Sequence, residues 1–117
     1  MAEEDPIDRA VFDSLLESVG GDMEFVAELL QTFFDDAPNL MATLHTALAA
    51  GEADEFRRAA HSLKSNSASF GAMPLSRMSK ELEDMGKAGT LAGASPKIAQ
   101  AEEEYARVRA ALESAVS

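Results

Sequence analysis

From Phe25 to Leu48 the apolar side chains return every three or four residues: Phe25, Val26, Leu29, Leu30, Phe33, Phe34, Ala37, Leu40, Met41, Leu44, Ala47 and Leu48. That spacing draws one apolar stripe along a helix of about 27 residues and excludes a strand, whose inward positions recur at every second residue. Asp22 is placed to cap its start and Gly51 to end it. Pro38 falls inside, and because the stripe keeps its phase on both sides, a kink is expected there rather than a stop. A long helix with one apolar face needs other helices to cover it.

The rest of the chain supplies them. Asp5-Pro6 reads as a cap followed by proline in the first turn, and Val11, Phe12, Leu15, Leu16 and Val19 form a short stripe that Gly20-Gly21 stops. A third helix is expected from Asp54 to Phe70, reached through the short "GEADE" connection and so antiparallel to the second. Pro74 opens a fourth, with Leu75, Met78, Leu82 and Met85 inward and an end at Gly86 or Gly89. Ser95-Pro96 repeats the cap-plus-proline signal before Ile98, Ala101, Tyr105, Val108, Leu112 and Val116. No alternating strand pattern and no hairpin turn occurs. The fold class is all-α: an antiparallel up-down four-helix bundle with a short extra helix at the N-terminus.

A chain of 117 residues fits one domain. It has no cysteine, which excludes disulfides and thiolate metal sites. The absence of a long apolar run argues against a membrane span. The acidic opening "MAEEDPIDRA" does not resemble a secretory signal, so a cytoplasmic location is expected. The formal charge of −11 is unevenly spread: residues 1–50 hold eleven acids and one base, residues 51–117 ten acids and nine bases. Such a chain lacks the basic footprint that nucleic-acid binding requires. Its bases gather around one histidine.

That histidine is His61, in "AHSLKSNSASFGA". At about 100° per residue it lies nearly opposite the stripe made by Phe56, Ala60, Leu63, Ser67 and Phe70, so it faces outward. Arg57, Lys64, Ser65 and Ala68 share its side of the helix. Flanking cations favour a neutral imidazole, whose free nitrogen is a nucleophile, and they attract a phosphoryl group placed on it. Small neighbours leave room for a second protein. Nucleophile, charge and access are what a phosphoryl acceptor needs. Competing chemistries lack their parts. Neither histidine has a glutamate three residues earlier, no His-x-x-x-His pair exists, and no Gly-x-Ser-x-Gly turn or phosphate-binding glycine loop is present. His45 lies at the edge of the second helix's stripe and reads as a structural contact.

These residues resemble the signature of the histidine-containing phosphotransfer (Hpt) domain family. "HSLKSNSASFGA" is similar to its His-x-Leu-Lys-Gly pattern with a small residue following and Gly-Ala ten positions after the histidine. "GGDMEFVAELLQTFFDDAPNLMATLHTALAAGEADEFRRAAHSLKS" resembles the family's second helix, turn and active-site helix, and "LSRMSKELEDMGKAG" the segment beyond. The resemblance implies that His61 accepts the phosphoryl group and Lys64 steadies it. It also implies that Leu63 and Phe70 fix the helix, that Ser67 is the small position one turn past the lysine, and that Gly71 marks the helix end. Arg57 and Ala68 enter on helix geometry alone. Ser65 departs from the pattern, since the family usually has glycine there.

By the same resemblance, the chain is expected to take a phosphoryl group from a receiver-domain aspartate or a histidine kinase and pass it to a response-regulator receiver. It would need no cofactor and have no ATP-dependent activity of its own, any Mg²⁺ belonging to the receiver; a monomer is expected because Tyr105, Val108 and Leu112 close a single bundle. The alternative is a helical adaptor that binds a receiver without phosphate transfer.

Overall fold

The computed structural model describes residues 4–117; residues 1–3, the start of the acidic opening stretch, lie outside it. Five helices follow one another: α1 (Arg9–Ser18), α2 (Met23–Ala50), α3 (Ala53–Ser69), α4 (Met73–Ala88) and α5 (Ala94–Val116). The described residues contain no strand. Helix α2 packs on α3, α3 on α4, α4 on α5, and α5 back on α2, which closes a four-helix ring; α1 lies across α2 and α3.

The stripe on α2 behaves as its spacing requires. Val26, Leu30, Phe33, Phe34, Ala37, Met41, Leu44 and Ala47 are buried, and the helix passes through Pro38 unbroken. Leu29, Leu40 and Leu48 are half-buried at the stripe's edge, and Phe25, in the first turn, stays exposed. Phe33 ties three helices together, its ring centroid 5.2 Å from Phe70 at the end of α3 and 5.8 Å from Tyr105 on α5. Each such aromatic pair adds about 0.5–1.5 kcal/mol beyond its buried area.

Two helix starts differ from the sequence expectation. The cap of α1 is Asp8, not Asp5: Asp8 Oδ1 accepts the Ala10 N–H at 3.0 Å. Asp8 also donates its own N–H to the Gly71 carbonyl at 2.7 Å, which ties α1 to the corner between α3 and α4. Helix α5 begins one residue before Ser95, behind Gly93 at φ +83°. Pro96 then falls inside the first turn, where its missing N–H has no helical partner to lose. At the far end of α4 the stop is Gly89, in the left-handed conformation, while Gly86 is buried inside the helix.

Gly86 has a packing role. A Cβ added there would lie 2.7 Å from Arg57 Cβ and 2.9 Å from Arg57 N. Helices α3 and α4 therefore touch backbone against side-chain root at this level. The buried face of α3 is small otherwise, with Ala59 and Ala60 between Phe56 and Leu63 and Ser67 one turn beyond. Ser67 satisfies its hydroxyl on the Leu63 carbonyl at 2.6 Å, and Ser76 of α4 donates to the Lys64 carbonyl at 3.1 Å. The close α3–α4 seam sets the distances in the site.

Candidate functional site

His61 projects from the middle of α3 with its side chain 57% exposed. Its Nδ1 lies 2.6 Å from Oε2 of Glu83 on α4. The other oxygen, Oε1, accepts from Lys64 Nζ at 2.7 Å. Glu83 itself is 2% exposed, so a buried carboxylate joins the histidine to the lysine one turn further along α3.

The lysine's hydrogen bond is the largest influence on Glu83. Burial opposes it, and the His61 hydrogen bond and the charges of Lys64 and Lys87 add to it, leaving the carboxyl at about 2. At neutral pH Glu83 is therefore ionised and can only accept. Nδ1 must carry the proton of that short bond, and in the neutral ring the lone pair is on Nε2. Nε2 has no hydrogen-bond partner among the described residues. The arrangement presents one defined nitrogen to an incoming electrophile, with a fixed negative charge behind the ring.

Lys64 reaches the histidine through Glu83. Arg57 is engaged elsewhere, its guanidinium on Asp54 at 2.8 Å and 3.2 Å, and that contact holds the Asp54 carboxyl below its ordinary range. Ser65 is exposed beside His61 and Ala68 is half-buried one turn beyond Lys64. Ser67 faces the core. Gly71 closes the helix at φ +78°, and a Cβ there would stand 2.7 Å from the Asp8 carbonyl oxygen. Leu63 and Phe70 are buried. His45 bonds across the α2–α5 seam to Glu102 Oε1 at 3.2 Å, both side chains remaining about half exposed.

Sequence reasoning missed Glu83. The positions around His61 on α3 are cationic or small, whereas the ring's nearest charge is a carboxylate from α4. A signal was available. Leu75, Ser79, Leu82 and Gly86 trace the inward face of α4, and Glu83 falls among them. An acid at a core position needs a partner, and the outward-leaning His61 and Lys64 are the groups that could meet it.

The Hpt domain model matches residues 28–111. The chain belongs to the Hpt domain family. Against the crystal structure of histidine-containing phosphotransfer protein B (HptB) from Pseudomonas aeruginosa PAO1 it has a TM-score of 0.88, with 35% sequence identity over 97% of this chain and 96% of that one. No curated protein matches it. Hpt domains are phosphocarriers rather than catalysts; they work with receiver domains and histidine kinases, and this chain is a phosphotransfer carrier of two-component signalling. No helix among the described residues of this Hpt domain is long and apolar enough to cross a membrane.

Proposed function

We propose that this Hpt domain accepts a phosphoryl group on His61 from the aspartyl phosphate of a receiver domain and passes it to the receiver of another response regulator. A histidine kinase as direct donor uses the same nitrogen. The observation that carries the reading is the 2.6 Å contact between His61 Nδ1 and the buried Glu83 carboxylate.

In the transfer, the Nε2 lone pair forms the N–P bond as the P–O bond of the acyl phosphate breaks, and that electron pair stays on the donor's aspartate. The ring gains positive charge, which the Glu83 carboxylate stabilises across the Nδ1–H bond. Onward transfer reverses these steps, so one arrangement serves both directions. Lys64 keeps Glu83 ionised and adds positive charge to the cluster. The exposed Ser65 hydroxyl and the Arg57–Asp54 pair border the approach, and Ala68, Ser67 and Gly71 keep the helix face small and its end fixed. The chain forms a single domain with its core at about residues 7–115 and works as a cytoplasmic monomer. It needs no cofactor and has no ATP-dependent activity of its own; Mg²⁺ is held by the receiver.

The test is to incubate the protein with a phosphorylated receiver and look for an acid-labile, base-stable phosphoryl group, with His61→Gln beside it. Label on the wild type alone supports the carrier reading. Binding to several receivers without label would instead favour a helical adaptor.

A further inference from the structure

Lys87 stands on α4 one turn beyond Glu83, its Nζ 4.0 Å from Oε2, the same oxygen that meets His61 Nδ1. Two lysines therefore flank the histidine, one from each helix of the seam, and they are held differently. Lys64 Nζ is bonded to Oε1 at 2.7 Å, and its side chain is 28% exposed. Lys87 is beyond hydrogen-bond distance, 56% exposed, and within 4 Å of no other acid among the described residues.

We propose that Lys87 is the cation that binds the phosphoryl group on His61, and that Lys64 is a positioning residue acting through Glu83. The inference rests on the carrier reading given above. Turning Lys64 toward the phosphoryl oxygens would strip a buried carboxylate oxygen of its donor, which is costly. Lys87 gives up only a long, solvent-exposed pairing, and its flexible stem carries the ammonium to either partner. Gly86 makes this reach possible. By letting α4 lie against Arg57, one turn before His61 on α3, it brings the following residue to the histidine's side of the seam.

The experiment needs no receiver. Phosphoramidate phosphorylates exposed imidazoles, its P–N bond breaking with release of ammonia, and the phosphohistidine ³¹P resonance is then titrated with pH. His61→Gln identifies the His61 signal, and phospho-His45 in the same sample is the internal reference. A cation on the phosphoryl oxygens lowers the titration midpoint. Lys87→Gln is expected to raise the His61 midpoint by about 0.3–0.7 units, the equivalent of a roughly two- to fivefold weaker cation contact. Lys87→Arg should restore it, Lys64→Gln should move it much less, and phospho-His45 should not move. A larger shift in Lys64→Gln than in Lys87→Gln, or equal shifts in both, overturns the assignment while leaving the carrier reading intact. Failure of His61 to take the label, with His45 labelled, overturns both.

Discussion

The molecule pairs a histidine with a glutamate across two of its helix seams, and the two pairs are not alike. On the α3–α4 seam His61 meets a carboxylate that is 2% exposed, at 2.6 Å, with Lys64 on the other oxygen. On the α2–α5 seam His45 meets Glu102 at 3.2 Å, and that carboxylate is 44% exposed. Both are histidine–carboxylate contacts between long helices. The second is about half open to water, a surface contact worth about 0–1 kcal/mol. The first is screened on the carboxylate side, directional, and completed by a lysine, so it fixes which ring nitrogen carries the proton. The difference lies in the seam. Gly86 and the small residues of α3 let two helices close over a charge, whereas α2 and α5 keep their pair at the rim.

The largest expected contrast comes from the histidines themselves. His61→Gln should abolish phosphoryl uptake from a phosphorylated receiver, and His45→Gln should leave it within about twofold of wild type, the scale of a surface substitution. Equal loss in both variants would mean that the two seams do not differ in function. Next come the acids. Replacing Glu83 with Gln removes the negative charge behind the ring and should slow transfer about 10- to 100-fold, the range for a hydrogen bond to a charged group; Glu102→Gln should change it little. Single-turnover kinetics with one receiver would measure both.

A third expectation concerns the seam. Gly86→Ala sets a methyl group against the Cα, Cβ and N of Arg57, all within 2.9 Å, and two of them are backbone that cannot step aside. Forcing the helices apart should cost about 1–3 kcal/mol in urea unfolding and lengthen the His61–Glu83 contact, slowing transfer as well.

A fourth expectation concerns acid dependence. The Glu83 carboxyl sits at about 2 in the folded protein, against 4.5 for an unperturbed glutamate. A group lowered on folding gives its full stabilisation above its unfolded value and loses it as pH falls toward the folded one. The stability advantage of wild type over Glu83→Gln should therefore be complete above about pH 4.5 and shrink between there and pH 2. A constant gap for Glu83→Gln would show that packing, not ionisation, carries its contribution.

Much of this was legible in the sequence. The stripe from Val26 to Ala47 sets α2 without help from any neighbour, and the short connection at Gly51 returns the chain antiparallel. The outward direction of His61 follows from Phe56, Ala60 and Leu63 alone. Two kinds of fact escaped. Proline marks a first turn without saying which position it fills, so Asp5-Pro6 and Ser95-Pro96 each pointed a few residues from the true cap. The carboxylate partner of His61 is set by the crossing of two helices, and a wheel drawn on α3 contains no residue of α4. The inward glutamate on α4 was the available hint, since a core acid implies a bonded one.

The three residues of the cluster and the glycine behind them fall between positions 61 and 86, on two consecutive helices joined by the short turn from Phe70 to Ala72. Little chain entropy is lost in bringing them together, because the loop that must close is short. Contacts of such low sequence separation are among the fastest to form. The His61–Lys64–Glu83 cluster thus belongs to a helical hairpin of local contacts, and its geometry owes little to the order in which the remaining helices arrive.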